Sequence, residues 1–491
     1  MLGVVGVLAA LGALIYLAYR GVSLLLLAPV MALAAAFVSG GVPVLAGYTQ
    51  VFMGAMGQFI ISYFPLFLLG AVFGRLMEDS GSATVIADRI VEFVGPENAI
   101  LAVVLCCGVL TYGGVSLFVV AFAVFPVAAA LFRSSQIPKR LIPAALALGA
   151  FTFTMSALPG TPAIQNAIPM PYFGTTAFAA PGLGIIAAAV MFAFGVAWLM
   201  RQAAAARTAG EGYASSNDPL ARGYIAPKAE VAARAHGVGA DVVEDAVATT
   251  AARADSNSPS FGMAIAPVVM VVAVNLVFST LIIPQMDVSY LAEARYGPTT
   301  LTEVQGLWSI IVALTAAVVF VLATSWGRLK DVNSSLTEGA NASVLPIANT
   351  ASLVGFGAVV AVTPAFGLIT QLVLSLGAFS PLVSLAVAVN ALSAVTGSAS
   401  GGMSIALQNL GPTYLELAKT EGVSLEAMHR VTSISSGALD ALPHNGAVIT
   451  VLTICKVGHA EAYRDIFMVA VVGPMLALVV VLLAATLFGG F

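Results

Sequence analysis

The chain has 491 residues, is 60% hydrophobic and only 9% charged, and carries a formal net charge of −4, with a mean hydropathy of +1.01. No soluble domain of this length hides so much apolar surface in one core, and no basic patch invites a nucleic acid. Runs of about 20 apolar residues, each long enough to cross a bilayer as a helix, recur from end to end.

The expected fold is therefore an all-α polytopic membrane protein with about 10–14 membrane segments. Residues 2–19 give the first span. They lack a basic n-region and Arg20 follows the apolar run, so they read as a helix and not as a signal peptide. Spans at 22–39, 52–77, 98–112, 115–132, 141–168 and 182–200 complete a first repeat, 1–201. Composition then shifts to Ala, Ser, Gly and mixed charges over 202–260, beginning RQAAAARTAGEGYASSNDP, which reads as a flexible cytoplasmic linker. The second repeat, 261–491, has spans at 262–284, 306–325, 345–375, 381–396, 399–411, 430–455 and 466–489. Segments 98–132 and 381–411 are each coupled too closely for an ordinary loop between them, which favours re-entrant hairpins. Cys106, Cys107 and Cys455 offer no disulfide framework and no metal-ligand spacing, so neither a metal nor a cofactor is expected.

Loop Lys and Arg set the orientation. Arg20, the RSSQIPKR loop at 133–140, the linker and GRLKD at 327–331 all lie in the cytoplasm if the N-terminus is outside, and the two repeats then have opposite orientation. Trp198, Trp308 and Trp326 fall near span ends. The exception is 412–430, with Lys419, Glu421 and Arg430, which this orientation makes an external loop.

The two halves share landmarks. TYGGVS (111–116) followed by SALPGTPAIQN (156–166) matches VTGSAS (395–400) followed by DALPHNGAVIT (440–450), with equal spacing from Gly113 to Ala157 and from Gly397 to Ala441. Pro159 and Pro162 in one half, and Pro443 with Gly446 in the other, break the helical hydrogen bonding. The freed backbone groups must face protein, water or ligand, because lipid cannot satisfy them. Two inverted repeats with discontinuous helices place a site near the bilayer midplane and suit alternating access.

Chemistry concentrates in these stretches. Asp440 and His444 stand four apart, and an Asp at a helix centre costs about 2.5–3.5 kcal/mol in a membrane. The pair reads as a proton relay or coupling-ion site, against the plainer reading of an internally neutralised structural pair. Ser156 and Gly160 occupy the matching places in the first half, so any built-in coupling lies in the second. Neutral contacts to a substrate are expected from Ser116, Ser156, Thr161, Gln165, Asn166, Thr396, Ser398, Ser400 and Asn445. Neither broken stretch contains Lys or Arg, which favours a small monocarboxylate held by helix N-termini, hydroxyls and amides over a dicarboxylate. Proton symport with a monoanion is the expected activity, with sodium on unwound carbonyls as the alternative coupling ion.

FPLFLLGAVFGRLMEDSG (64–81), ALPGTPAIQNAIPMPYFGT (157–175), LVGFGAVVAVTPAFG (353–367) and SSGALDALPHNGAVIT (435–450) resemble the gluconate permease family of bacterial proton symporters, within the superfamily of inverted-repeat ion transporters. The resemblance implies multi-pass placement in the bacterial inner membrane and proton-coupled uptake of gluconate, related sugar acids, D-serine or 3-hydroxybutyrate. Gluconate permeases carry a Ser-His-Val-Asn-Asp-type stretch where this chain has LPHNGA, and only His444 and Asn445 match it. The paired ALPGTPAIQN and ALPHNGAVIT look more like the 3-hydroxybutyrate branch. Dimers are common in the superfamily, which leaves a homodimer open.

Two other classes weigh less. An intramembrane serine hydrolase would use SASG (398–401) with His444, but it needs no matched pair of broken helices, and the chain has no HExxH or GxSxG motif. A channel would need a repeated carbonyl filter, which nothing here resembles. The chain is not expected to be an enzyme.

Overall fold

The structure is a computed structural model that describes residues 2–19, 22–213, 258–297, 299–364, 366–367, 380–443 and 445–491. Every regular element among them is helical. Seven helices are long and apolar enough to cross a membrane: Val44–Asp79, Lys139–Ala157, Pro181–Thr208, Phe261–Gln285, Leu301–Ser325, Val332–Ala361 and His459–Phe488. The chain is an all-α polytopic membrane protein.

In the first half, α1 (Leu2–Tyr19) and α2 (Leu24–Ser39) pair, followed by the long α3 (Val44–Asp79) and the amphipathic α4 (Ser82–Val94). A hairpin of α5 (Ala99–Tyr112) and α6 (Leu117–Ser134) leads to a broken helix. Its first part is α7 (Ile142–Phe151) with a wide turn over Phe153–Ala157, and its second is α8 (Ile164–Ala167) with α9 (Pro169–Phe173). α10 (Pro181–Thr208) returns. The second half has α11 (Phe261–Val277, extended by turns to Gln285), α12 (Leu301–Ser325), α13 (Val332–Ala361) and a hairpin of α14 (Pro381–Thr396) and α15 (Ala399–Glu421). Then come a broken helix of α16 (Leu425–Ser436) and α17 (Gly446–Cys455), and finally α18 (His459–Phe488).

Gly113 and Gly397 lie 284 positions apart. The same shift carries α5 onto 383–396, α6 onto 401–418 and the start of α10 onto 465, and α14, α15 and α18 lie at these places to within about six residues. Polar contacts fix the relative direction of the halves. Lys139, where the first broken helix begins, donates to the carbonyl of Lys456 at the end of the second (3.4 Å). The amide of Ala180, beyond the end of the first, donates to Glu426 at the start of the second (3.2 Å). The two broken helices therefore run antiparallel.

Several boundaries differ from the sequence expectation for local reasons. The span expected at 345–375 begins at Val332, because Asp331 caps the polar start VNSS by accepting from Asn333 and Ser334, and its end at Ala361 precedes residues outside the described set. Trp198 lies within α10, where it donates to Asp465 at 3.0 Å. The external loop expected over 412–430 is helix on both sides of a short turn. α15 runs to Glu421, Gly422 adopts a left-handed φ of 69°, and Ser424 caps α16. Arg430 thereby moves from a loop into a buried helix.

The linker expected at 202–260 begins as the last two turns of α10, and residues 214–257 lie outside the described set. Before that point the chain docks on the 133–140 loop: Arg140 forks onto Glu211 (2.8 and 3.0 Å), and Arg133 stacks over Tyr213. The hydrogen bond from Arg140 holds the Glu211 carboxyl below its ordinary range. A lowered carboxylate contributes stability above its unfolded value, about 4.3, and loses it as pH falls through the lower folded value. Glu211→Gln is accordingly expected to melt below the wild type at pH 7, with the gap closing by pH 3. A gap that widens in acid would contradict the pairing.

Hairpin packing is close. A Cβ on Gly402 would sit 2.3 Å from the backbone N and Cα of Ser393. Gly402→Ala is expected to lower stability by about 1–3 kcal/mol through overpacking, measured by thermal unfolding in detergent. An unchanged melting point would mean that α14 and α15 are looser than this.

Candidate functional site

Each hairpin tip meets the break of its own half. In the first, the Tyr112 hydroxyl donates to the Pro159 carbonyl (2.8 Å). Gly114 turns at φ 94°, so close to Pro162 that a Cβ would lie 2.9 Å from the ring. In the second, Asn445 donates from Nδ2 to the Gly397 carbonyl (2.9 Å) while its Oδ1 accepts from Val448, capping α17. The breaks also meet each other. Ser433 on α16 donates to the carbonyl of Ser156 (2.9 Å), and a Cβ on Gly437 would stand 3.3 Å from the Ser156 hydroxyl. Two tips and two breaks thus converge, at positions set by the prolines and by Gly114 and Gly397.

The expected contact residues fall around this junction in different states of engagement. Ser156 is buried and its hydroxyl donates to Thr152 (3.2 Å). Thr161 is buried and accepts from Ala163, and Gln165 is buried in α8. Thr396 donates to Leu392 (2.8 Å). Ser398 caps α15 by accepting from Gly401 (3.1 Å), and Ser400 stands 3.5 Å from it. Ser116, which the 284-residue shift pairs with Ser400, stands directly before α6 as Ser398 does before α15, but its side chain caps nothing. Gly446 opens α17 and its carbonyl accepts from Thr450, and the Pro443 carbonyl faces His459. The Asp440 carboxylate is met by the amides of Ala399, the first residue of α15, and Ala441. An anion at a helix N-terminus is well placed. His444 lies outside the described residues.

Asn166 belongs to a network that the sequence did not announce. Its Nδ2 donates to the carbonyls of Thr161 (3.0 Å) and Ala177 (2.9 Å), so its Oδ1 must be the acceptor. That oxygen receives His429 Nε2 (3.1 Å) and Arg430 (3.1 Å). His429 therefore carries hydrogen on Nε2, and the Thr175 hydroxyl donates to Nδ1 (2.6 Å). Arg430 also donates to Ala179 through Nε (3.0 Å) and to Ala177 and Ala179 through Nη2 (3.3 and 2.7 Å). Asn166, His429 and Arg430 are all fully buried. This corrects the expectation of a region without cations, since a guanidinium stands one hydrogen bond from Asn166. Most of its five N–H groups are spent on protein acceptors. The readable signal was Gly422 followed by Ser424, a helix stop and a helix start separated by one residue.

An uncharacterized transporter of Bacillus subtilis (strain 168), YxjC, is 40% identical to this chain over 475 residues, 95% of each chain. No family model matches.

Proposed function

We propose, from the premise that the chain belongs to the transporter family of Bacillus subtilis YxjC, that it is a secondary active importer of a small monocarboxylate, driven by proton symport through alternating access. The bacterial inner membrane is its proposed location. The observation that carries this reading is the convergence of both tips and both breaks, with a carboxylate already held in one half. Asp440 occupies the N-terminus of α15. The matching N-terminus of α6 has Ser116 without a capping role and Ser156 in place of the Asp. A substrate carboxylate at α6 would copy the arrangement that Asp440 makes at α15, using free first-turn amides and the helix dipole.

Arg430 supports a monoanion, since one buried cation nearby favours negative charge while its hydrogen bonds hold the scaffold. Short hydroxy acids such as 3-hydroxybutyrate, or gluconate, fit a junction rich in hydroxyls and amides. One proton moving with one monoanion is electroneutral, so a pH gradient supplies about 1.4 kcal/mol per unit. The deciding experiment is uptake of labelled 3-hydroxybutyrate into proteoliposomes under an inward pH gradient without sodium, with unlabelled gluconate as competitor. Accumulation that a protonophore collapses is expected. Uptake that needs a sodium gradient instead would replace the proton, and no uptake under either gradient would remove the substrate assignment.

A further inference from the structure

We propose that His459 and Tyr463, on successive turns at the start of α18, are positioning residues for coupling: they hold carbonyls of the second break and so fix the stretch that presents Asp440. The role in coupling rests on the transport reading. The hold itself is measured without transport.

α16 ends at Ser436 and α17 begins at Gly446, and the backbone oxygens freed between them need donors that lipid cannot supply. The Tyr463 hydroxyl donates to the Ala441 carbonyl (3.2 Å). The His459 imidazole hydrogen-bonds the Pro443 carbonyl. Between these two, the Leu442 carbonyl accepts from the Asn445 amide (2.9 Å). His459 and Tyr463 stand four apart and so share one face of α18. Their rings stack at 4.7 Å, 16° from parallel, so they meet the break as one unit.

Ala441 carries this hold to Asp440. Its amide meets the Asp440 carboxylate, while its carbonyl takes the Tyr463 hydroxyl. Peptide planes are rigid and leave only two soft dihedrals at that residue, so a shift at the ring is passed to the amide beside the carboxylate. The start of α18 is itself tied to the first half. Asp465, two residues after Tyr463, accepts from Trp198 on α10 (3.0 Å) and from Arg140 ahead of α7 (2.9 Å).

The first repeat separates this hold from a general need of the fold. At the positions 284 earlier stand Thr175 and Ala179, and Thr175 spends its hydroxyl on His429. The Pro159 carbonyl, counterpart of that of Pro443, is met from the hairpin by Tyr112 instead. At the place matching Tyr112 stands Thr396, which bonds Leu392. Both halves satisfy the proline carbonyl, but only the second does so from α18. Only the second has an Asp beside the hold, where the first has Ser156.

Hydrogen–deuterium exchange of the purified full chain in detergent tests the hold. Tyr463→Phe keeps the stacked ring and removes only the donor. Amides of 437–448 should then exchange about five- to tenfold faster, while those of α10 keep wild-type rates. His459→Gln, which keeps an N–H, should exchange more slowly than His459→Ala. Wild-type exchange over 437–448 in Tyr463→Phe would overturn the proposal, and equal exchange in the two His459 variants would remove His459 from it. Proteoliposomes test the role, as the ratio of pH-driven uptake to counterflow of labelled 3-hydroxybutyrate on one preparation. A merely structural loss lowers both rates together and leaves the ratio alone. A positioning loss lowers the ratio, by about tenfold in Tyr463→Phe, and by less in His459→Gln than in His459→Ala. An unchanged ratio beside faster exchange would overturn the coupling role. A wild type that transports under neither ion gradient would remove that role together with the transport reading, and faster exchange in Tyr463→Phe would still keep the hold.

Discussion

Arg430→Met is expected to cost the folded chain about 3–5 kcal/mol, the scale for removing one partner of a buried charged network. The side chain is fully buried and its partners are the Ala177 and Ala179 carbonyls and Asn166 Oδ1. Methionine fills much of the volume, but it takes both Arg430 donors from the Ala179 carbonyl, at about 1–3 kcal/mol if water cannot reach that oxygen, and one donor each from the Ala177 carbonyl and Asn166 Oδ1, which keep Asn166 Nδ2 and His429 Nε2. Release from burying a charge offsets part of that. Arg430→Lys should recover only a fraction, because an ammonium cannot reproduce the planar fork. Thermal unfolding in detergent, with the yield of monodisperse protein, measures the effect. Since Asn166 and Arg430 share one hydrogen bond, Asn166→Leu and Arg430→Met should be strongly non-additive. A wild-type melting point in Arg430→Met would mean that the network is dispensable, and that α16 is not tied to the first half through it.

That network also marks where the sequence stops being legible. Periodic apolar runs and prolines announce membrane helices and their breaks, because lipid forces backbone satisfaction within each segment. The ALP triplets mark both breaks and the Gly113–Gly114 pair marks the first tip, but the second glycine pair, Gly401–Gly402, lies inside α15, and the second tip turns at Gly397; the 284-residue shift aligns the helices around them. The start of α16 was readable in Gly422 and Ser424, but the burial of Arg430 was not. Its burial depends on carbonyls supplied 251 to 253 residues earlier in the chain. The early start of α13 was hidden in the same way: a polar first turn held by an Asp331 cap gives no hydropathy signal. Which contact residues are already engaged was equally beyond reach. Ser398 and Ser116 look alike in sequence, yet one caps its helix and the other does not.

Asp440→Asn is expected to lower gradient-driven accumulation by about two orders of magnitude or more while leaving counterflow exchange of substrate largely intact. Two orders in an accumulation ratio correspond to about 2.7 kcal/mol, the work of roughly two pH units, so the full loss is read under an imposed gradient of at least two units. Asparagine keeps an oxygen that the amides of Ala399 and Ala441 can reach, so the tip, the break and the cap of α15 should survive. What it loses is the ability to exchange a proton or to balance a bound cation. The two readings of Asp440 therefore separate cleanly. A residue that only caps a helix changes stability by about 0.5–2 kcal/mol and leaves the thermodynamics of uptake alone. A coupling residue uncouples: substrate still equilibrates across the membrane, but neither ion gradient concentrates it. Proteoliposomes measure both quantities on one preparation, counterflow first and pH-driven accumulation second. Wild-type accumulation in Asp440→Asn would reduce the carboxylate to a helix cap and return the coupling role to groups elsewhere in the junction. Loss of counterflow together with accumulation would instead place Asp440 among the groups that hold the substrate or its path open.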